Sequence, residues 1–258
     1  EALGLPFEGA AAVPGESDGE NLEAVARRVR YAFFERLIEQ GTFERIATGH
    51  TRSDQAETVL FRVLRGTGIA GVAAVRPVRL PGIVRPLIDV SRGDVIEWLK
   101  QRGSTWREDS SNNDRRFSRN RLRRDLLPQL RAEWNPRVDQ ALARLANQAA
   151  SEESYWDDVV AQALESLACS QDSGSVEVDC LAARALHPAV LHRCLERLAR
   201  QSKAPGRQFD AEALGQLAAM IQPDGPKQAR LPGLTAQRSC DILLLRRESL
   251  EELAAPLD

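Results

Sequence analysis

The stretch ATGHTRSDQAETVLFRVLRGTG, residues 47–68, holds the pattern that decides the fold. The short segment FERIAT leads into it and is typical of a strand, and a Gly-His step turns the chain where that strand ends. Ser53 then offers an N-cap for a helix from Asp54 to Arg65, and Gly66 follows the last helical turn. A helical pattern also precedes the strand, so this order of elements predicts an open α/β sheet.

Helical spacing also predicts which faces of these two helices are buried. In the first, behind a candidate Asn21 cap, the apolar stripe is Leu22, Val25, Val29, Phe33 and Leu37. In the second, the stripe is Val59, Leu60, Val63 and Leu64.

The character of the chain changes near Gln129–Pro136, where we place a domain boundary. Before it, SRGDVIEWLKQRG predicts a capped helix that Gly103 stops. After it, a long helical pattern and two shorter ones, at 181–201 and 209–222, lead to short strand signals around turns. We therefore expect a partial parallel-sheet domain over residues 1–130. Residues 131–258 should form a mainly helical, substrate-binding domain with a small β-hairpin.

Composition places the chain in a broad class. A hydrophobic fraction of 43% over 258 residues is enough for a buried core, and 35 basic against 37 acidic residues give no overall sign of a polyanion partner. The four cysteines are scattered without a C-x-x-C pair, so we expect buried thiols, no metal site and a reducing, cytoplasmic location. No apolar run is long enough for a membrane helix, and the N-terminus lacks a leader pattern.

The first helical turn after the strand carries a candidate amine seat. Asp54 and Glu57 are three residues apart, so in a helix they share a face, and the helix dipole favours ionised carboxylates there. Two such anions suit an ammonium group, although acidic residues are also common at helix starts. His50, at the turn, could transfer a proton or bind a phosphate-bearing ligand, or simply hydrogen-bond a loop carbonyl.

A block of arginines suggests a nucleic-acid partner. Residues 115–124 hold Arg115, Arg116, Arg119, Arg121, Arg123 and Arg124. Guanidinium groups fork onto phosphates, and the block follows an Asx-rich loop with no matching acidic run to neutralise it. A solvated helix face is the plainer interpretation of a basic run.

The glycines of GTGIAG, residues 66–71, match the dinucleotide pattern G-x-G-x-x-G only in letters. That pattern requires a strand before it and a helix after it, and here an amphipathic helix precedes it. We therefore interpret it as a helix stop followed by a loop.

Five segments in order resemble the bacterial tRNA(Ile)-lysidine synthetases. TGHTRSDQAETVLFRVLRGTG is similar to their H-x-x-D-D-Q-x-E-T…R-G-S-G segment. The others are RRVRYAFF, IVRPLIDVSR, WREDSSNNDRRFSRNRLRRDLLPQL and LPGLTAQRSCDILLLRR, so the resemblance extends from about residue 20 to 247.

The resemblance implies a fold of the adenine nucleotide alpha hydrolase type and an ATP- and Mg²⁺-dependent ligase. Such enzymes adenylate the C2 oxygen of the wobble cytidine in a tRNA(Ile) with a CAU anticodon. The amine of free L-lysine then displaces AMP to give lysidine. The implied catalytic residues are His50, Asp54 and Arg119, and the implied lysine contacts are Asp54 and Glu57. The implied tRNA or nucleotide contacts are Arg65, Arg115, Arg116, Arg119, Asn120 and Arg123.

Two positions depart from the family pattern. Ser53 stands where the family usually has Asp, and since Ser is an equally good N-cap we expect little loss. The S-G-G-x-D-S loop, which holds ATP phosphates with backbone N–H groups, is absent from the sequence. We therefore expect the sheet domain to be incomplete at its N-terminus and this chain alone to be inactive.

Other functions stay open. Another tRNA-modifying ATP pyrophosphatase, such as a thiolase, would need well-placed cysteines. A non-catalytic RNA-binding chain would use the arginines but leave Asp54 and Glu57 without a role. The sequence leaves the oligomeric state undecided, a homodimer included.

Overall fold

The computed structural model describes residues 7–11, 22–106, 118–172, 174–202 and 211–248, without the side chains of 22–24 and 168–172. The chain divides into two compact units, residues 1–153 and 154–258. The division falls within one long helix, which the long helical pattern after Asn135 predicts. The functional boundary that we place between residues 130 and 131 stays a prediction.

The first unit is an α/β unit that ends in a long helical segment. Its elements are α1 (Leu22–Glu39), β1 (Ile46–Ala47), α2 (Arg52–Leu64), α3 (Ile69–Val72), β2 (Val78–Arg79), β3 (Ile83–Val84) and α4 (Arg92–Gln101). The helical segment comprises α5 (Ser118–Arg121), π1 (Leu122–Leu126), α6 (Leu127–Gln129), π2 (Leu130–Trp134) and then α7 (Val138–Leu167). π1 and π2 have π-helical hydrogen bonding. This geometry is rare in proteins, and where it occurs it is often at a functional site.

The described strands of the first unit form a sheet in the order β1-β3-β2. β1 and β3 run parallel, with Ile46 opposite Ile83, whereas β2 is antiparallel to β3. The sheet is therefore mixed, not purely parallel as expected. Because β1 and β3 are parallel, their carboxyl ends meet at one edge, where ligands collect in open α/β sheets.

Helix α2 begins two residues earlier than the sequence suggests. Thr51 is its N-cap, and the Thr51 amide and hydroxyl both donate to Oδ2 of Asp54 at 2.8 Å. A Thr with an acid three residues later has the spacing of a capping box, so Thr51 outcompetes Ser53 for this role. Gly66 adopts φ +78°, as expected for a residue that ends a helix in the left-handed region.

Two predicted apolar stripes are partly wrong. In α2, Val63 and Leu64 are exposed, and the buried side chains are Gln55, Ala56, Glu57 and Val59. In α1, Val29 is exposed, and the buried residues are Tyr31 and Leu37. The first half of α2 buries polar groups because they have partners: Gln55 exchanges two 3.0 Å hydrogen bonds with the backbone of Val75.

The second unit contains a larger sheet than the predicted hairpin. Its elements after α7 are β4 (Ala168–Asp172), β5 (Ser175–Asp179), α8 (Cys180–Ala185), α9 (Pro188–Ser202), α10 (Ala211–Ile221), β6 (Gln228–Leu231), β7 (Leu234–Ser239) and β8 (Ile242–Arg247). The strands form an antiparallel sheet in the order β4-β5-β8-β7-β6. The alternation in SVEVD, with both valines buried, signals β5 but is short and lies between two strong helical patterns.

The core of the second unit lies between one face of this sheet and its helices. α9 contributes Leu195 and Leu198, α10 contributes Leu217 and β8 contributes Leu243, each almost completely buried. Cys180 and Cys194 are buried thiols, as expected. Cys240 is not: it is exposed at the β7–β8 turn with φ +52°.

Candidate functional site

The site lies at the carboxyl-terminal edge of β1 and β3. His50 follows β1, half-buried, and Thr48 Oγ1 lies 2.9 Å from its Nδ1. Burial, reinforced by the nearby positive charge of Arg85, lowers the pKa of His50. Its imidazole is therefore neutral at neutral pH and able to accept a proton.

Arg85 follows β3 at the same edge and is 4% exposed. Its Nη1 donates to the carbonyl of Arg76 at 2.5 Å and its Nη2 to the hydroxyl of Tyr31 at 3.1 Å. Its Nε is buried and has no partner among the described residues. An unpaired buried N–H beside a strand end is costly, and such a group is a candidate anion contact.

The acidic pair predicted from the sequence is brought together with two arginines. We call Asp54, Glu57, Arg119 and Arg123 the acid–arginine cluster. Arg123 donates through Nε to Glu57 Oε1 at 2.5 Å, and its Nη2 lies 3.0 Å from both Glu57 Oε2 and Asp54 Oδ1. One guanidinium thus bridges both carboxylates, a forked geometry that Arg provides and Lys does not.

Arg119 completes the cluster from the other side. Its Nε lies 3.5 Å from Glu57 Oε2, and its Nη2 donates to Thr58 Oγ1 at 3.1 Å. The Thr58 hydroxyl in turn donates to the backbone carbonyl of Asp54 at 2.7 Å. The helical segment that carries the arginine block is therefore held against α2 by charge-assisted hydrogen bonds.

Glu57 is the buried member of the cluster, with 2% of its surface exposed. Burial raises its pKa, and the hydrogen bond and charge of Arg123 oppose that shift without cancelling it. Burial therefore still disfavours the ionised form of this carboxylate, although Arg123 and Arg119 both contact it. Asp54, by contrast, keeps 22% of its side chain exposed.

A set of cations surrounds this edge. Burial lowers the pKa of Arg27, and the charges of Arg119, Arg85 and Arg62 lower it further. Burial and Arg119 likewise lower the pKa of Arg62, which donates to the carbonyl of Gly71 at 2.7 Å. Positive charges close enough to perturb one another favour an anionic ligand at this edge.

The remaining predicted residues divide into three groups. Arg65 lies away from the cluster, exposed, with its guanidinium 4.2 Å from the centre of the Phe61 ring. Asn120 is on α5 beside Arg119, half-buried. Arg115 and Arg116 lie outside the described residues.

Sequence reasoning missed Arg85, Thr58 and Gln55 as parts of the site. Arg85 lies in the segment IVRPLIDVSR, and an arginine directly after a buried strand was the available signal. Among the described residues no three acidic, His or Cys side chains form a group that could hold a metal ion. None of the described helices is both long and apolar enough to span a bilayer.

Fold and site together define an α/β domain with a polar site at its strand ends. Residues 2–130, half of the chain, match the sequence model of the PP-loop domain. The chain therefore belongs to the PP-loop family of ATP-binding domains.

Several curated proteins are similar to this chain in sequence, and they share one name. The chain is 42% identical to the tRNA(Ile)-lysidine synthase of Solibacter usitatus, over 94% of this chain and 54% of that protein. It is 36% and 41% identical to the enzymes of the same name from Coxiella burnetii and Pseudomonas syringae pv. tomato, each over 63% of this chain and 36% of the relative. The chain thus spans about half or less of the length of these relatives.

One solved structure, the U34-tRNA thiolase NcsA from Methanococcus maripaludis with its [4Fe-4S] cluster, gives a TM-score of 0.44 at 15% identity. The match covers 53% of this chain and 46% of that one. Likeness at this level carries no argument about chemistry.

Proposed function

We propose that the protein containing this chain is a tRNA(Ile)-lysidine synthetase. It would use ATP to adenylate the wobble cytidine of a tRNA(Ile) with a CAU anticodon, and free L-lysine would then displace AMP to form lysidine. The observation that carries the proposal is the 42% identity with a lysidine synthase over 94% of the chain. The site adds an acidic pair beside a neutral histidine at the strand ends.

Asp54 and Glu57 are proposed to receive the ammonium group of lysine. Their carboxylates lie on one face of α2 and share the guanidinium of Arg123, so the pair can hold a cation. An ammonium is a compact point charge with three donors, which suits several carboxylate oxygens at once.

His50 is proposed to accept the proton that the attacking amine must lose. If Nδ1–H donates to Thr48 Oγ1, Nε2 is left as the proton acceptor. The lowered pKa keeps the imidazole unprotonated at neutral pH, which a base requires.

The cations at the strand edge are proposed to contact phosphates of ATP and tRNA. Arg85 offers its Nε, which has no partner among the described residues, while Arg119 and Arg123 bring the arginine block to the same edge. Mg²⁺ would accompany ATP. Among the described residues no three acidic, His or Cys side chains form a group that could hold the metal ion.

The test is lysidine formation by the natural gene product, expressed in full. The protein is incubated with ATP, magnesium, lysine and a tRNA(Ile) transcript with a CAU anticodon, and the digested tRNA is searched for lysidine by mass spectrometry. We expect lysidine from the wild type and none from Asp54→Ala. Release of AMP without lysidine would keep the adenylation step but contradict lysine as the nucleophile.

A matched control tests whether the loss of activity is specific to the acidic pair or follows from the loss of any capping carboxylate. Asp94 occupies the third position of α4, as Asp54 does in α2, and forms the same capping box with its N-cap residue. Asp94→Ala should therefore still form lysidine, because the Asp94 carboxylate pairs with Arg52, outside the acid–arginine cluster.

A further inference from the structure

Arg123 occupies the position that the proposed function gives to the substrate amine. Its Nε and Nη2 contact Asp54 Oδ1 and both oxygens of Glu57. The remaining oxygen of the pair, Asp54 Oδ2, accepts from the amide and hydroxyl of Thr51. All four carboxylate oxygens therefore already accept hydrogen bonds from within the chain.

A second cation cannot join this arrangement without a displacement. Glu57 is 2% exposed and both of its oxygens accept from Arg123, so an incoming ammonium must displace one of these contacts. Two positive charges at van der Waals distance would also repel each other. Arg123 is the member that can move: 26% of its side chain is exposed, and it lies in the π-helical turn π1.

We propose that Arg123 is a specificity-determining residue that competes with lysine for the Asp54–Glu57 pair. Binding of the amine displaces its guanidinium and makes it available to a phosphate of the tRNA. This inference rests on the proposed function. It identifies the Arg123 guanidinium as the group that an amine must displace in order to bind. An amine too short to reach both carboxylates cannot displace the forked guanidinium of Arg123 and therefore binds weakly.

The competition predicts coupling between the two substrates. An arginine that is paired with carboxylates cannot also neutralise a phosphate, so lysine binding strengthens tRNA binding. By linkage, tRNA strengthens lysine binding by the same factor. Removing the Arg123 guanidinium removes both the competitor and the coupling.

The experiment compares the natural full-length protein with Arg123→Met, which keeps an unbranched apolar stem. The control is Arg131→Met. Arg131 makes a comparable forked contact with Asp139, at 2.9 and 3.1 Å, on the same helical segment but away from the pair. Calorimetry measures the Kd for lysine, and filter binding measures the Kd for tRNA(Ile) with and without saturating lysine.

Arg123→Met should bind lysine about tenfold more tightly than the wild type, because the competent state no longer requires displacement of Arg123. Its tRNA affinity should not respond to lysine, whereas the wild type and Arg131→Met should show the response. If Arg123→Met is unfolded by circular dichroism, Arg123→Lys replaces it, and the single ammonium should still let lysine bind severalfold more tightly.

Each other outcome overturns a defined claim. Weaker or unchanged lysine binding by a folded Arg123 variant, with lysidine still formed by the wild type, refutes the competition but keeps the function. No lysine binding by the wild type or the variants, with no lysidine, refutes both.

Discussion

Two buried arginines, one in each unit, have contrasting surroundings. Arg238 in the second unit is 7% exposed and donates to three carbonyls, those of Gln222, Pro223 and Gly225, at 2.6 to 3.0 Å. Arg85 in the first unit is 4% exposed, and its Nε, whose charge acts on His50, has no partner in the part of the chain that the structure describes. Arg238 holds the turn between α10 and β6 through these hydrogen bonds. Arg85 has an N–H donor at a strand edge that a ligand could use.

The same contrast extends to the rest of each unit. The second unit buries a continuous apolar cluster from α7 to β8. The first unit places Gln55, Glu57 and Arg85 among its most buried side chains, close to the proposed site. The second unit also buries Arg238 and Glu248, but each has partners there, whereas Arg85 Nε has none among the described residues, and an unsatisfied buried polar group is costly unless it has a function.

The largest effect should come from the apolar core of the second unit. Leu195→Ala removes a fully buried side chain of α9 and should lower the free energy of unfolding by about 2–5 kcal/mol through lost burial and a cavity. Urea unfolding followed by circular dichroism measures it. Leu181→Ala, at a position 59% exposed in the same unit, should change stability little. Equal losses from the two variants would contradict the assigned core.

Glu57→Gln should separate stability from function in the first unit. Burial raises the pKa of Glu57, so the neutral amide avoids a desolvation cost, but it also removes the charge that pairs with Arg123, and we expect stability to fall by about 3 kcal/mol or less. Amine binding should fall by roughly 100-fold, since a charge-assisted contact is worth about 3 kcal/mol at most. Lysine titration calorimetry measures the second effect; a large loss of stability with unchanged binding would assign Glu57 a structural role.

The same variant carries a pH signature. With its pKa raised in the folded state, Glu57 binds more protons when folded than when unfolded. Wild-type stability therefore falls, relative to Glu57→Gln, as pH rises from about 4.3 through the raised pKa. Urea midpoints measured across this range should show the difference growing with pH.

Local sequence patterns predicted the positions of helices more accurately than they predicted which side chains are buried. The stops at Gly66 and Gly103 and the long helix after Asn135 follow from residues that act locally, and the structure confirms them. Val63 and Leu64 fit the helical stripe of α2 yet are exposed, because which face is covered depends on partners distant in sequence. β5 pairs with β8, more than 60 residues further along the chain, a long-range contact that no short window contains.

The proposed site shows the same limit. Spacing alone places Asp54 and Glu57 on one face of α2, and the structure brings them together. Their contact with Arg123, which lies 66 residues beyond Glu57, has no local signal. The resemblance to a known family supplied the roles, and only the three-dimensional contacts show that the two predicted groups of residues, acidic and basic, meet.

Helix caps provide a smaller and matched comparison of the units. Ser91 accepts from the amide of Asp94 at 3.0 Å at the start of α4, and Asp179 accepts from Leu181 and Ala182 at 2.7 and 3.1 Å at the start of α8. Ser91→Ala and Asp179→Ala should each cost about 1 kcal/mol, the usual value for a lost cap. Urea midpoints measure both, and lysidine formation should be unchanged in either variant.

The smallest effect should be a shift of the pH–rate profile. As a base, His50 acts in its neutral form, and its lowered pKa places the acidic limb of kcat/KM below the ordinary value of about 6.5. Burial is the main cause of the lowered pKa and the charge of Arg85 is the next, so Arg85→Met should move the limb only partly back, toward higher pH.

The control for this shift is Arg79→Met. Arg79 stacks 4.6 Å from the centre of the same Tyr31 ring that Arg85 contacts through the hydroxyl, and it pairs with Glu35 at 2.7 Å. The charges that act most on the pKa of His50 are those of Arg85, Asp54, Arg27 and Arg119, so removal of Arg79 should leave the limb in place. A limb that shifts equally in both variants would reflect disturbance of Tyr31. A limb that shifts in neither would mean that another group is the base, because the loss of a neighbouring positive charge must raise the pKa of a titrating His50.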